Sequence, residues 1–183
     1  MSLEDRSQLS LRARAHPVRL RMLSLLTGAA MSAAELGREL GISQALASYH
    51  LRFLVNAGAV TLAEEVRHRG GRERRYRYRA EASAEDSPWP AGHTPEGYEL
   101  LLTAAGEELR RRAHQRDPDG PGLMVDAELW VTDEQWTAFR DAVRDASLRL
   151  HQQAARPRTS GTKPVNVSAF LFTMSMPAAS VTS

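Results

Sequence analysis

The chain has 183 residues, of which 42% are hydrophobic and 25% charged, as in a globular protein with one or two compact units. It contains no cysteine, which excludes disulfides, thiolate metal sites and cysteine nucleophiles. No stretch approaches the roughly 18 apolar residues of a membrane span, and the acidic residues 1–5 lack the apolar run of a secretory signal, so we expect a cytoplasmic protein.

The net charge of +2 hides an asymmetry between the two halves of the chain. Residues 1–80 hold 14 Lys and Arg against 7 Asp and Glu, whereas residues 81–183 hold 10 against 15. All the basic residues except Lys163 are arginine, a bias that a GC-rich coding genome would also produce. Because a basic field attracts polyanions and an acidic one is repelled by phosphates, we expect any nucleic-acid-binding unit in the N-terminal half.

The chain begins with helical patterns separated by helix breakers. Leu3 belongs to the apolar stripe of a first helix that is predicted to end before Pro17. Pro17 stands at a first-turn position, where a missing N–H costs nothing, and opens a second helix that stops at Gly28. The first helix is short and is therefore expected to need a partner surface.

The next segment predicts two helices joined by a tight turn. Ser32 and Glu35 have capping-box spacing at the start of the third helix, and Gly41 supplies the left-handed turn after it. Ser43 caps a fourth helix, whose core side is predicted to comprise Leu46, Leu51, Leu54 and Val55. This order predicts a helix-turn-helix, a unit that places its second helix in the major groove of DNA.

The hydrophobic period changes to that of strands after residue 58. Residues 60–67 and 72–79 are two strand patterns joined through Gly70 and Gly71. The two runs and their turn carry more arginines than a packed ribbon could hold: Arg67, Arg69, Arg72, Arg74, Arg75, Arg77 and Arg79. We interpret the hairpin as a wing whose tip arginines bind phosphates or enter a minor groove.

The C-terminal half is predicted to extend this unit. A linker at 81–94 precedes an amphipathic helix at 95–116, and residues 123–176 follow as a strand-helix-strand module for dimerisation or effector binding. The predicted fold is mainly α with a small β component (α+β). It consists of a winged helix-turn-helix DNA-binding domain in residues 1–80, a C-terminal dimerisation helix and the strand-helix-strand extension.

Side chains at the start of the fourth helix are the main candidates for DNA contact. Gln44 can bond an adenine through N6 and N7, because the N-terminal turn of a recognition helix faces base edges. The predicted DNA-binding residues are Ser43, Gln44, Ala45, Ser48, Tyr49 and Arg52 of the helix and Arg67, Arg69, Arg72 and Arg74 of the wing. We expect His50 to be packed and hydrogen-bonded at the helix edge, rather than to bind a groove or a metal.

No set of residues predicts catalysis or a cofactor. The chain lacks a glycine-rich phosphate loop, a Gly-x-Ser-x-Gly elbow and a helical His-x-x-x-His pair. Asp141, Asp145 and His151 could provide carboxylate and imidazole ligands across a dimer, but a solvated helix face is the favoured interpretation. We therefore expect neither enzymatic activity nor a bound metal.

Residues 15–23 and 43–58 resemble the corresponding segments of the ArsR/SmtB-like winged-helix repressors. The resemblance covers residues 1 to about 80 and implies a homodimer that binds an inverted repeat, represses a neighbouring promoter and releases it when an effector binds. It also implies that Gln44, Ser48 and Tyr49 lie at groove-reading positions. The chain departs from the metal-sensing members, because its third helix has no cysteine pair and its last helix lacks their Asp and His ligands.

An obligate homodimer is also predicted from apolar surface that a monomer would leave open. Trp136, Phe139 and Val143 recur on one face of the last helix, and Phe170 and Phe172 lie on the second face of the last strand. The predicted dimer interface comprises Leu3, Leu101, Leu102, Ala105, Leu109, Trp136, Phe139, Val143, Phe170 and Phe172.

Three functions stay open from the sequence. The first is a dimeric transcriptional regulator, a repressor that answers to an organic effector and uses no metal. The second is a regulator or adaptor controlled by a protein partner. The third is a metal-responsive repressor that uses histidine and carboxylate ligands only.

Overall fold

The computed structural model of the chain describes residues 15–68, 71–78 and 95–175. Within these residues, five helices and three strands are present, and the strands form one antiparallel sheet. The predicted α+β class with a winged helix-turn-helix is confirmed. The predicted first helix, with Leu3, and the linker at 81–94 lie outside the described residues.

Three helices form the first part of the fold: α1 spans Pro17–Gly28, α2 Ala33–Leu40 and α3 Gln44–Asn56. The predicted capping box of α2 is present, since Ser32 Oγ accepts from the Glu35 N–H at 3.3 Å and Glu35 Oε2 from the Ser32 N–H at 2.8 Å. Gly41 then adopts the left-handed conformation, with φ at 67°. The helix-turn-helix therefore begins and turns where local sequence signals predict.

The wing is a three-stranded sheet with strand order β1-β3-β2. Its strands are β1 (Met31–Ser32), β2 (Val60–His68) and β3 (Gly71–Tyr78). The predicted hairpin is confirmed by antiparallel pairing from Val60 opposite Tyr78 to His68 opposite Gly71. Strand β1 was not predicted, because two residues are too few to show a period; its pairing with Tyr76 and Arg75 ties the wing to the start of α2.

The core lies between the three helices and the sheet. Its largest fully buried side chains are Met22, Leu26, Leu36 and Leu54. The predicted core face of α3 is wrong in part: Leu46 and Val55 are 42% and 39% exposed, while Ala47, His50, Leu51 and Leu54 are buried. The buried set has the helical spacing i, i+3, i+4, i+7. Position on the helix therefore decides which side chains are buried, so that His50 is buried while Leu46 is exposed.

Helix α4 (Pro95–Ala113) packs against α1. Its buried residues are Leu101, Ala104 and Glu108, which recur at helical spacing on one face. The helix therefore covers part of α1, and it brings the Glu108 carboxylate into the contact.

Helix α5 (Asp133–Gln153) starts at a capping box, where the Thr132 and Gln135 side chains and backbone N–H groups bond reciprocally. No residue of α5 is buried. The chain after the helix returns to α1, since a Cβ added at Gly28 would lie 3.5 Å from Ala154 Cβ.

The two strands expected on either side of α5 do not form. Residues 121–132 and 162–175 have no strand hydrogen bonding in the described chain, and Leu123 and Trp130 are 91% and 77% exposed. A strand needs a neighbouring edge to satisfy its backbone groups, and these two segments do not pair with each other or with the wing. The prediction of a strand-helix-strand module is therefore wrong for the single chain, and only its helix is present.

Candidate nucleic-acid interface

The predicted reading face of α3 is open to solvent at its N-terminal end. Gln44, Ala45, Tyr49 and Arg52 are exposed and Ser48 is half-buried, so all five lie on the side of the helix away from the core. The first turn contains no acidic residue. Its unsatisfied N–H groups and the positive end of the helix dipole therefore face outward without a neighbouring carboxylate in that turn.

Ser43 has a structural part in this arrangement. Its hydroxyl oxygen accepts from the Leu46 N–H at 3.1 Å and so caps α3. The side chain is exposed. Because a capping oxygen is already engaged as an acceptor, Ser43 has its hydroxyl proton left to donate to a phosphate oxygen.

The position of α3 depends on a close approach to α2 at Gly37. A Cβ at Gly37 would lie 2.9 Å from the Ile42 carbonyl oxygen and 3.4 Å from the Gln44 nitrogen. Any larger residue would push the start of α3 outward, because the atoms it meets are backbone. Gly37 thus fixes where the Gln44 side chain is presented.

Arg38 is a candidate contact that the sequence interpretation missed. It is exposed in the last turn of α2 and lines a shallow depression of about 320 Å³ together with Gly41 and Gln44. Its guanidinium group is therefore a neighbour of the α3 N-terminus. The only signal in the sequence was its charge, which does not show that the turn brings α2 and α3 to one surface.

The wing presents arginines whose charges are partly compensated within the hairpin. Arg72 and Arg74, both more than half exposed, pair with the two carboxylate oxygens of Glu65 at 3.2 and 3.4 Å. Arg67 is exposed and stands directly opposite Arg72 in the strand register. Like charges at opposed positions destabilise a strand pair, and an anion placed between them would relieve that repulsion. Arg69 lies outside the described residues.

Arg75 differs from the other wing arginines. Its guanidinium group donates to Glu35 Oε1 at 2.7 Å and to Glu64 Oε1 at 3.4 Å, and its side chain is only 17% exposed. The other oxygen of Glu35 closes the α2 capping box. Arg75 therefore joins the wing to the helix-turn-helix, a role that the alternating Arg and Tyr pattern did not reveal because its partner is 40 residues away.

His50 lies on the core side of α3, and its predicted packing is confirmed. It is 6% exposed, and its ring centroid is 4.8 Å from that of His16 and 5.3 Å from that of Tyr49. The expected hydrogen bond is not seen at Nδ1, which is buried with no partner among the described residues. The ring acts as a packing surface between α1 and α3.

His16 caps α1, since its Nδ1 accepts from the Val18 N–H at 3.2 Å. Burial lowers the pKa of His16, and the positive charge of Arg19 lowers it further, against a raising effect of its own backbone hydrogen bond. Burial likewise lowers the pKa of His50, and His16 and Arg19 add to that shift. Arg19 itself is held 4.2 Å above the Phe53 ring by a cation–π contact, so the positive charge stays beside the histidine pair.

The predicted dimer residues have different surroundings in the single chain. Leu101 is buried, Ala105, Trp136 and Val143 are half-buried, and five are exposed: Leu102, Leu109, Phe139, Phe170 and Phe172. The burial of Leu101 accompanies the packing of α4 on α1 and does not favour contact with a second chain. The exposed members stay available for one.

The described residues also bear on two other kinds of site. No group of three or more histidine or carboxylate residues in this part of the chain could hold a metal ion. Across the same ranges, every helix is too short or too polar to cross a bilayer.

Comparison with known proteins identifies the unit that carries this surface. A family model described as a helix-turn-helix domain matches residues 15–63, which run from before α1 into β2. No curated protein matches the chain. Residues 15–63 therefore form a helix-turn-helix domain, and this domain supports a DNA-binding transcriptional regulator.

Proposed function

We propose that the chain is a dimeric repressor of the ArsR/SmtB-like kind, which binds an inverted-repeat operator and releases it when a small organic effector binds. The observation that carries the proposal is the open N-terminal turn of α3, with Gln44 beside Arg38 and no carboxylate in that turn. Such a role needs chromosomal DNA and places the protein in the cytoplasm.

The first support comes from the side chains on the open turn. Gln44 offers the amide donor and acceptor that match the N6 and N7 atoms of adenine, and Tyr49 and Arg52 follow on the same exposed face. Arg38 and Ser43 flank that turn with a guanidinium group and a hydroxyl, which suit phosphate oxygens. This arrangement separates base contact from phosphate contact along one short surface.

The second support comes from the wing. The exposed Arg67 and Arg72 face each other across the hairpin, and Arg74 shares the Glu65 carboxylate with Arg72. A DNA phosphate would add the negative charge that this set lacks. We infer that the wing tip, including Arg69, tracks the backbone and contributes affinity that does not depend on sequence.

The proposal of a dimer rests on exposed apolar surface. Phe139, Phe170 and Phe172 are 52%, 43% and 51% exposed, and Leu123, Met124 and Trp130 are more so. A second copy would cover these side chains while presenting two α3 helices to a twofold operator.

We infer an organic effector, because the chain has no cysteine and the described residues hold no cluster of metal ligands. We infer repressor activity from the resemblance of residues 15–23 and 43–58 to the ArsR/SmtB-like proteins.

The experiment that tests base reading compares two glutamines on a duplex selected for tight binding. Gln44→Ala should lose about 1–3 kcal/mol of binding free energy on the selected duplex. The variant should also lose its preference at one base pair in each half-site and keep it at the others. Gln152→Ala removes an exposed glutamine from α5 and should leave binding unchanged. Equal losses for Gln44→Ala on selected and random duplexes would refute base reading.

The same titrations test the wing with two arginines. Arg72→Ala should weaken binding to every duplex and reduce the salt slope by about 1, because one phosphate contact is lost. Arg149→Ala removes the same charge from the exposed side of α5 and should leave the slope unchanged. Identical slopes for both variants would show that the wing does not touch the backbone.

A further inference from the structure

A cleft at the junction of α1, α2 and α4 is lined by eight residues, of which three are arginines and one is a glutamate. Its volume is about 230 Å³, and it opens to solvent. The lining residues are Arg21, Ser24, Leu25, Glu39, Leu40, Arg111, Arg112 and Gln115. It lies on a different side of the helix-turn-helix from the Arg38 and Gln44 depression, with which it shares no lining residue.

Beside the cleft, three guanidinium groups surround one carboxylate. Glu108 has a side chain 7% exposed, and its oxygens lie 2.9 Å from Arg111, 3.5 Å from Arg112 and 4.0 Å from Arg21. Arg111 satisfies the carboxylate with a bidentate fork through Nε and Nη2. One negative charge is therefore shared among three positive ones.

The second carboxylate of the cleft does not restore the balance. Glu39, on α2, is itself 3.4 Å from the guanidinium group of Arg158. The ion pairs at this junction thus join four positive side chains to two negative ones: Arg21, Arg111, Arg112 and Arg158 with Glu39 and Glu108. The surplus of positive charge lies at a concave surface, where an anion is attracted most strongly.

Arg21 and Arg112 are the two guanidinium groups with capacity to bind more. Among the described residues, Arg21 makes long contacts, 3.5 Å to the Leu40 carbonyl oxygen and 4.0 Å to Glu108, and its side chain is 26% exposed. Arg112 is 22% exposed and bonds Asn166 at 3.1 Å, with Glu108 at 3.5 Å. A guanidinium group has five N–H donors, so both groups keep donors for a ligand.

We propose that this cleft binds a small organic anion through its carboxylate or phosphate oxygens, held between Arg21 of α1 and Arg112 of α4. The cleft has a volume of about 230 Å³ and opens to solvent, which leaves room for a di- or tricarboxylate or a small phosphate ester. The Ser24 hydroxyl and the Gln115 amide complete a polar lining for such a ligand.

The location gives the anion a path to the DNA-binding surface. Arg21 contacts the Leu40 carbonyl at the end of α2, directly before the Gly41 turn that leads to α3. An anion that draws Arg21 toward Arg112 would tighten α4 on α1 and remove that contact. The bound anion is therefore the effector of the repressor. This regulatory role rests on the proposed function, whereas anion binding to the cleft does not.

The test is a calorimetric titration of the full-length protein without DNA, using citrate and inorganic phosphate at constant ionic strength with chloride as the reference salt. We expect saturable binding of at least one of the two, and preference between them tells carboxylate from phosphate. Arg21→Met and Arg112→Met should each weaken binding about tenfold, as expected for one charge-assisted hydrogen bond. Arg116→Met, an exposed arginine just beyond α4 and outside the cleft, should not weaken it.

A second variant keeps the test sharp if either arginine substitution unfolds the chain. Glu108→Gln removes the internal carboxylate that competes for the same guanidinium groups, so anion binding should become several-fold tighter. If the ion cluster only stabilises the fold, neither citrate nor phosphate should bind, or Glu108→Gln should leave their binding unchanged. Either result, or an equal loss in Arg116→Met, would overturn the proposal, whereas a failure to bind DNA would leave the DNA-free titration unaffected.

Discussion

The described residues before residue 79 and those after residue 116 differ in how they are held. The winged helix-turn-helix contains a core of twelve buried hydrophobic residues and three paired strands. Between residues 117 and 175, no residue is buried, and the single regular element is α5. Similar amphipathic patterns therefore produce a packed unit only where the chain supplies the opposite surface.

The contrast follows from the partners each region has. Tyr76 and Tyr78 of the wing pack against the core that α1, α2 and α3 provide. Leu123 and Trp130 have comparable apolar area, yet they are 91% and 77% exposed. Burial stabilises a fold by about 25 cal/mol per Å² of apolar area, and the C-terminal segments gain little of this in a single chain.

The largest expected effect is on the packed side of the comparison. Leu54→Ala should lower the free energy of unfolding by about 2–5 kcal/mol, because Leu54 is fully buried and leaves a cavity. Leu123→Ala should change it by less than about 0.5 kcal/mol when only intrachain packing counts. Urea unfolding of both variants in a Trp136→Asp background, expected to be monomeric, provides the measurement. A Leu123→Ala cost equal to that of Leu54→Ala would show an intrachain core that the structure lacks.

The next effect is on association. Trp136→Asp, or truncation before Pro118, should give monomers or aggregates with weak, mostly nonspecific DNA binding, since a carboxylate is placed in the face that includes Phe139 and Val143. Thr137→Asp adds the same charge at the next, exposed position and should leave a dimer. Light scattering at micromolar concentration distinguishes these outcomes. A monomeric wild-type protein that still binds its operator tightly would contradict the dimer.

The smallest effect concerns pH and the packed region. His16 and His50 have lowered pKa values, so the folded state favours their neutral forms, and their contribution to stability is present above about 6.5 and lost as pH falls below it. The free energy of unfolding should therefore decrease between pH 7.5 and 5.5. His50→Gln should flatten this slope, and His114→Gln, at an exposed position, should not. An unchanged slope in His50→Gln would exclude the pair as its source.

Local signals made much of the DNA-binding unit predictable. The Ser32 and Glu35 capping box, the Gly41 turn and the Ser43 cap each depend on a few neighbouring residues, and all three form as predicted. The outward direction of Gln44, Tyr49 and Arg52 follows from the helical period once the start of α3 is known.

Features set by distant contacts were not predictable. In the sequence, Arg75 does not differ from the other wing arginines, because its partner Glu35 is 40 residues away. Arg38 lies beside Gln44 because of the turn between α2 and α3. Glu108 lies in an apolar stripe, and its buried position depends on arginines from two helices. The C-terminal strands that were expected have the converse cause: their sequences alternate, but no edge within residues 15–68, 71–78 and 95–175 pairs with them.

Selection of binding sites from random duplexes by the full-length protein tests whether a twofold pair of α3 helices reads DNA. We expect enrichment of an inverted repeat whose half-site centres lie roughly 10 base pairs apart, so that two copies of α3 enter successive major grooves on one side of the duplex. The absence of any enriched sequence, or enrichment of a single asymmetric site bound by one chain, would contradict it.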